Sequence, residues 1–213
     1  MSTLFHIPFV PDNFHSIANK ILNYTVLMIN NNPHRICEIE FYLNSSEHRD
    51  LYVHGHDDQT KNGTWYFHRF NNGTYKNGTF KGLDIVFGFG ENFGVKEVHT
   101  GDDRAFAAVL IRSIANLNER KLIEGPCNTV NHILALTGFD SVLSFTENQS
   151  LNILNNKRGL IIVEGKPEKL EPISYAPRIG LSNKYPEYQN KKYRFVIGPV
   201  KKEKKKLIPL ITQ

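Results

Sequence analysis

The chain has 213 residues, a formal net charge of +5, 40% hydrophobic residues and 22% charged residues. This length predicts one domain with its own hydrophobic core, and the composition is typical of a soluble globular protein. The sequence contains no apolar run long enough for a transmembrane helix, no N-terminal signal pattern, and two cysteines, Cys37 and Cys127. We therefore expect a monomer in a reducing intracellular compartment, the nucleus of a eukaryotic cell or otherwise the cytoplasm, with both thiols buried.

The positive charge is concentrated near the C-terminus. Between Lys191 and Lys206 lie eight Lys or Arg residues and one Glu, a net +7 against +5 for the whole chain, which leaves −2 for the rest. We expect residues 1–200 to form the domain and residues 201–213 to form a basic tail that contacts nucleic-acid phosphates. A solvated tail without a ligand and a nuclear localisation signal are the alternatives.

Hydrophobic periodicity predicts a mixture of helices and strands. A helix capped by Asp12 is predicted to run through Leu22, and Asn-Gly-Thr at 62, 72 and 77 predicts three tight turns. The predicted strands are 25–30 and 35–43, joined as a hairpin by the turn 30–34, and then 64–70, 83–89, 104–114, 159–165, 177–181 and 191–198. The segment 104–114 is apolar almost throughout, so a helix is the alternative there. Further helices are predicted at 125–138 and 150–156. This order indicates an α+β fold, a single domain with a curved, mainly antiparallel β-sheet and flanking helices.

The segment RICEIEFYL (35–43) carries two acidic residues within an apolar strand pattern. Side chains in a strand alternate between the two faces of the sheet. One set is predicted to point into the core: Ile39, Phe41 and Leu43. The other set shares the opposite face: Glu38, Glu40 and Tyr42. That second face is either solvent-exposed or the floor of a site.

The segment HGHDD (54–58) is similar to the His-x-His-x-Asp start of a binuclear metal site. The next ligand of such a site would stand at position 59, which is Gln59, and neither His99 nor His132 lies in a ligand-like context. An exposed polar loop is therefore the favoured interpretation, and we predict no metal and no other cofactor.

The segment GFGENFG (88–94) follows an apolar strand pattern, as phosphate-binding loops do. Its Gly-x-Gly-x-x-x-Gly spacing differs from the dinucleotide-binding pattern, and no clear helix follows it. A glycine-rich loop between strands is the favoured interpretation.

Several residues with suitable chemistry follow the strand that contains Glu40 and Tyr42. His54 comes after the next loop, Tyr66 and His68 share one side of TWYFHRF, and Arg112 lies near the end of the strand 104–114. A carboxylate beside aromatic rings, imidazoles and an arginine suits hydrolysis of a bond to a flat heterocycle. Core packing of the aromatic rings and an exposed acidic face remain the alternative.

From about Phe14 to Pro199 the chain resembles the alkyladenine (methylpurine) DNA glycosylases. Five segments occur in the family's order: NFHSIANKILN, RICEIEFYL, AAVLIRSI, EGPCNTVNHILAL and PRIGL followed by KKYRFVIG. They resemble, in turn, the family's leading helix, its Val-Glu-Thr-Glu-Ala-Tyr-Leu strand, its Leu-Leu-Arg-Ala strand, its Gly-Pro-started helix and its closing strands. Two segments, GTWYFHRF and GTFKGLDIVFGFG, are similar to the family's tyrosine-rich strand, and the pocket asparagine of the family has no clear counterpart.

The resemblance implies a role for each matching residue. Glu40 would be the general base and Arg112 would help to hold the attacking water, with a backbone carbonyl near Ile179. Tyr42 would stack on the extruded base and His54 would stand on the same side of the pocket, with His48 or His56 as substitutes. The remaining implied contacts are Tyr66 and His68 to the base, and Arg178 and Lys192 to phosphates.

The implied activity is that of a monofunctional DNA glycosylase in base excision repair. Such an enzyme flips a damaged nucleotide out of double-stranded DNA and hydrolyses its N-glycosidic bond without a metal. Alkylated or deaminated purines would be the bases removed. The alternative is a member of the same fold that binds nucleic acid or nucleotides without cleaving them.

Overall fold

The computed structural model describes residues 3–90, 104–167, 169–198 and 208–209. Three features of the sequence lie outside the described residues: the lysines of the predicted basic tail (201–206), His99, and residues 91–94 of the glycine-rich segment. No described helix has the length and apolar character needed to cross a membrane.

Ten described strands form one sheet in which every pairing is antiparallel. They are β1 Thr25–Ile29, β2 Asn32–Asn44, β3 Trp65–Phe67, β4 Leu83–Val86, β5 Phe106–Asn116, β6 Lys121–Glu124, β7 Leu160–Glu164, β8 Ser174–Ala176, β9 Arg194–Val196 and β10 Ile208–Pro209. The described helices are α1 Phe14–Tyr24, α2 Pro126–Thr137, α3 Val142–Thr146 and α4 Pro186–Gln189. The prediction of a single α+β domain with a mainly antiparallel sheet is confirmed.

The sheet is open, with the order β10-β8-β9-β2-β5-β4-β3. The long strand β2 stands at its centre because its second half pairs with β9 on one side and β5 on the other. At its first half, β2 also pairs with β1, which in turn pairs with β7. The predicted hairpin of β1 and β2 is confirmed, and Asn30 and Asn31 both take positive φ (45° and 65°), as a two-residue primed turn requires.

The hydrophobic core lies on one face of this sheet. Helix α1 packs there against β2, with the rings of Phe14 and Phe41 stacked at 4.4 Å, and α2 packs against β5 and β6. Ile39, Phe41 and Leu43 are all buried in this core, as strand alternation predicts. The opposite face of β2, β5 and β4 is therefore left to carry polar residues.

Three predicted features are wrong. Asp12 does not cap α1, because it lies in a 3-10 turn and the helix begins at Phe14. Residues 150–156 form no helix, since the Asn152 side chain accepts hydrogen bonds from the backbone N–H groups of Leu154 and Asn155 and holds a turn. The strand predicted at 177–181 lies instead at Ser174–Ala176, and 177–181 is a loop that enters the site.

Two other segments differ in detail from their predictions. Cys37 is buried, and burial raises its pKa to about 12, whereas Cys127 is only half-buried. The backbone N–H of Gly88 bonds to the carbonyl of Ala107, and that of Phe89 bonds to the carbonyl of Ala105. The described part of the glycine-rich segment therefore extends the sheet, and these N–H groups are not free to bind a phosphate.

A pair of imidazoles links the start of β2 to α2. His34 Nδ1 lies 2.9 Å from the carbonyl of Asn32 and must donate to it, so His34 Nε2 accepts from His132 Nε2 at 2.9 Å. Desolvation lowers the pKa of both rings. The contact holds one proton between the two Nε2 atoms and is lost when both rings are charged.

Acid is expected to destabilise the fold through this pair. Because both pKa values are lower in the folded chain than in the unfolded one, the stabilisation is present above about pH 6.5 and is lost as the pH falls below it. His132→Gln, which can still donate to His34, should reduce the loss of stability between about pH 7.5 and pH 5 by on the order of 1 kcal/mol. Urea unfolding at both pH values measures this, with the exposed His15→Gln as control; equal losses in both variants would contradict it.

Candidate functional site

A row of paired residues crosses the polar face of the sheet. Leu110 of β5 pairs with Glu40 of β2 on one side and with Asp84 of β4 on the other, and Asp84 also pairs with Tyr66 of β3. Directly paired residues of antiparallel strands project from the same face, so the two acids lie on one face with Cα atoms roughly 10 Å apart. Leu110 lies between them, on the floor of a cavity of about 190 Å³.

Irregular pairing brings an arginine to this face. The register of β2 and β5 shifts on each side of the pair Glu38–Ser113, so that Cys37 and Arg112 are left without direct partners. Such bulges re-aim side chains. Ile111 and Ile114 remain in the core, while Arg112 and Ser113, which lie between them, both bond to acids of β2.

Glu40 lies beneath the cavity and is completely buried. Its Oε1 accepts from the backbone N–H of Ile179 at 2.7 Å, and its Oε2 accepts from the Tyr42 hydroxyl at 2.9 Å and from Arg112 Nη1 at 3.4 Å. Burial raises the pKa of the Glu40 carboxyl, against the opposing effects of Arg112, Ile179 and Tyr42. A carboxylate has about four acceptor sites, so these three bonds leave one for a further donor.

Glu38 is buried on the same face, farther from the cavity. Its carboxylate accepts from Arg194 Nη1 at 2.9 Å, from Arg112 Nε at 3.3 Å and from the Ser113 hydroxyl at 2.8 Å. Arg112 thus bridges the two glutamates, and the Glu38–Arg194 pair fixes one side of its guanidinium.

The Tyr42 ring forms part of the cavity wall, and both its hydroxyl group and one face of its ring have partners. Its hydroxyl bonds to Glu40, and the guanidinium of Arg178 lies over its ring, 4.4 Å from the ring centroid. Burial, followed by the charge of Glu40, raises the pKa of the Tyr42 phenol well above its ordinary value. Tyr42 therefore stays neutral and presents a fixed aromatic surface to the cavity.

The prediction that Arg178 contacts phosphates is wrong for this structure. Arg178 is fully buried, forms a two-pronged ion pair with Asp50, and also donates to the backbone carbonyls of Phe41 and Tyr188. The Arg178 guanidinium is paired inside the protein, where it packs over the Tyr42 ring.

Lys192, the other predicted phosphate contact, is exposed. It lies near the Tyr175 ring, outside the lining of the cavity.

Histidines form the wall opposite Arg112. His54 and His68 both line the cavity, with ring centroids 4.3 Å apart, and Tyr66 lies 5.9 Å from His54 in the adjoining groove. Lys76 Nζ lies 3.2 Å from His54 Nε2 and can only donate, so that nitrogen is an acceptor and the imidazole is neutral. Desolvation, followed by the charge of His68, lowers the pKa of His54 and agrees with this assignment.

His48, which the sequence offered as a substitute for His54, does not line the cavity. It packs instead against Tyr188 and Tyr193.

Asp84 is a cavity residue that the sequence analysis did not identify. It is 2% exposed, and its Oδ1 accepts from His68 Nε2 at 2.8 Å. The ring of His68 lies directly over Gly82, where any Cβ would collide with it. Gln59, also 2% exposed and part of the cavity wall, places its amide Nε2 3.5 Å from Asp84 Oδ2. The one feature of the sequence that could have indicated Asp84 is the presence of an acid within the otherwise apolar segment LDIV (83–86).

A larger open groove of about 1010 Å³ adjoins the cavity, and the two share the side chains of Tyr52, Val53 and His54. Its lining combines Arg69 and Lys76 with three large exposed apolar residues: Leu51, Phe70 and Phe80. Phe80 is 68% exposed and lies beside the third Asn-Gly-Thr turn. The groove thus offers cations and apolar side chains at the mouth of a buried cavity.

The HGHDD segment (54–58) forms the start of a 3-10 turn. His56 Nδ1 accepts from the backbone N–H of Asp58 and begins a 3-10 turn, and Asp58 bonds to Lys61. Within the part of the chain that the structure describes, no three His, Cys, Asp or Glu side chains are arranged to hold a metal ion.

The chain is similar to a viral protein over most of its length. No protein-family model matches the chain. The uncharacterized protein L759 of Acanthamoeba polyphaga mimivirus is 40% identical over 195 residues, which cover 91% of this chain and 90% of that protein. The match thus covers nearly the full length of both chains.

Proposed function

The chain belongs to the family of this mimivirus protein, and we propose that it is a monofunctional DNA glycosylase with an alkyladenine DNA glycosylase-like fold. The relative's description states no activity, so the proposal rests on the cavity and on the resemblance of the five sequence segments. One observation carries it: Glu40, Tyr42 and Arg112 form a connected group at one end of a small cavity that His54 and His68 close at the other.

The cavity suits one flat heterocycle. Its volume of about 190 Å³ is smaller than the roughly 300–1,000 Å³ of typical small-molecule sites, and the adjoining groove is large enough for a strand. A base cannot reach such a cavity from within a duplex, so the nucleotide must be flipped out at a cost of a few kcal/mol. Lys76, which gives only one of its three N–H donors to His54, would contact a phosphate, and exposed Phe80 suits the role of an apolar wedge beside the opened base pair.

Hydrolysis then follows from Glu40. The remaining acceptor site of its carboxylate takes a proton from a water molecule, whose oxygen attacks C1′ as the glycosidic bond breaks. The leaving base takes the bonding electrons; a neutral base also acquires a proton, whereas cationic 7-methylguanine leaves as the neutral base and the proton from water goes to solvent, so one water is consumed in either case. Positive charge develops on the sugar in the transition state, and the buried carboxylate stabilises it.

Release of free base from lesion-containing duplexes tests the proposal. The purified protein is incubated with duplexes that contain hypoxanthine, 1,N6-ethenoadenine or 7-methylguanine, and both free base and abasic strand are quantified. Release of base from at least one lesion duplex, with none from undamaged DNA, is the expected result. Absence of release from every duplex would contradict the proposal.

The burial of Glu40 favours a second candidate, a nucleic-acid-binding protein without cleavage. Glu40 is not among the residues that line the cavity, and both of its oxygens already have partners. Duplex binding that weakens with salt, combined with no base release from any lesion, would support this candidate in place of the glycosylase.

A further inference from the structure

Asp84 and Gln59 form a polar pair at the end of the cavity remote from Glu40. Both side chains are 2% exposed and both line the cavity. The Asp84 carboxylate accepts hydrogen bonds only, whereas the Gln59 amide Nε2 donates only, so an acceptor and a donor stand side by side. His68 holds the carboxylate in place through Oδ1, and its ring is confined above Gly82.

This pair has acceptor capacity that the described residues do not fill. The hydrogen bond from His68 is short, while the contact from Gln59 Nε2 is long at 3.5 Å and contributes little. A buried carboxylate is costly unless its acceptor sites are occupied. A ligand that enters the cavity and brings an N–H group to Asp84 would satisfy that carboxylate.

We infer that Asp84 and Gln59 select the base by its hydrogen-bonding edge, an inference that rests on the proposed glycosylase function. The base carries an N–H donor beside an acceptor, as the N1–H and C6=O groups of hypoxanthine do; guanine shares this edge, so its exclusion depends on the cost of opening its normal base pair. Asp84 accepts from N1–H and Gln59 donates to O6. 1,N6-Ethenoadenine has no N–H on this edge and leaves Asp84 Oδ2 with only the long contact from Gln59.

The position of the pair supports this assignment. Asp84 and Glu40 flank Leu110 in one row across the sheet, so a ring that lies on Leu110 places one edge at Asp84 and the opposite side toward Glu40. Tyr42, at the Glu40 end, already has the Arg178 guanidinium over its ring and lies beside Arg112. Because Asp50, Glu38 and Glu40 pair with these two cations, this end of the cavity carries no excess charge, and the choice of base rests on Asp84 and Gln59.

The magnitude of the selection follows from the burial of the pair. A site built to hydrogen-bond a substrate N–H discriminates strongly against an analogue that lacks it, because the buried partner is left unpaired. We expect the wild-type protein to release hypoxanthine at least about 100-fold faster than ethenoadenine in single turnovers.

Asp84→Asn tests the inference against this selectivity. The amide replaces one acceptor oxygen with a donor, so the hypoxanthine-to-ethenoadenine ratio is expected to fall at least about tenfold. Binding to a duplex with an abasic-site analogue, which offers no base to Asp84, is expected to stay within about twofold and serves as the check on folding. Asp140→Asn, at an exposed position, is the matched control.

The outcomes separate the two claims. An unchanged ratio in a folded Asp84→Asn variant, or a wild-type protein that releases both bases equally fast, overturns the selectivity of Asp84 and leaves the glycosylase standing. Absence of release from every duplex overturns both.

Discussion

Glu40→Gln is expected to lower the single-turnover rate of base release by about 10²- to 10⁴-fold, because the amide cannot accept a proton from water. The fold should persist, since Gln Oε1 can still accept from the Ile179 N–H, and the neutral amide relieves the burial of a carboxylate that already has a raised pKa. Affinity for abasic-site analogue DNA should stay within about threefold. Free base is measured by chromatography under enzyme excess.

Glu38→Gln is the matched control for this prediction. Glu38 lies two residues away on the same face and also bonds to Arg112, but it has no contact with the cavity. We expect Glu38→Gln to reduce stability through the loss of its Arg194 pair and to slow base release less than about tenfold. Equal loss of rate in both variants would show that Arg112 positioning, and not proton transfer to Glu40, governs the reaction.

Arg178→Met is expected to destabilise the protein by about 3–5 kcal/mol, because it leaves the Asp50 carboxylate buried without its partner. The Tyr42 ring would also lose the guanidinium that lies over it. Urea unfolding measures the change, and Arg178→Met combined with Asp50→Asn should recover part of the loss, since no unpaired charge then remains.

Lys192→Met is the comparison for Arg178→Met. The sequence suggested the same phosphate-binding role for both residues, yet Lys192 is exposed, and its removal should change stability by less than about 0.5 kcal/mol. A loss below about 1 kcal/mol for Arg178→Met would contradict the assignment of Arg178 as a buried support of the cavity.

Strand alternation correctly predicted which residues share each face of β2, but it could not predict where the pairing of β2 becomes irregular. It placed Ile39, Phe41 and Leu43 in the core and Glu40 and Tyr42 on the other face, because period-2 patterning depends on local geometry alone. The register shifts around Glu38 and Ser113 were not predictable, because a bulge is set by how two strands distant in sequence pair.

Long-range partners account for the residues that the sequence analysis missed or misassigned. Arg178 looked like a free cation because its partner, Asp50, is 128 residues away in sequence. Asp84 was overlooked because its place in the cavity depends on two distant residues. His68 follows β3, which pairs with β4, and Gln59 lies in the 3-10 turn Asp57–Thr60. The segment 177–181 looked like a strand, but its Ile179 N–H is used to hold Glu40 and not to extend the sheet.

The central claim is that Glu40 acts as the base beneath this cavity, and the pH dependence of single-turnover base release tests it most directly. Glu40 must be deprotonated to accept a proton, and burial raises its pKa, so the rate should rise with pH through a value above the ordinary carboxyl range near 4.5. The charge of Arg112 opposes that rise, so Arg112→Met should move the acidic limb to higher pH. The claim would be contradicted if the acidic limb of the pH–rate profile lay at the same pH in the wild type and in Arg112→Met. It would also be contradicted if Glu40→Gln kept that limb.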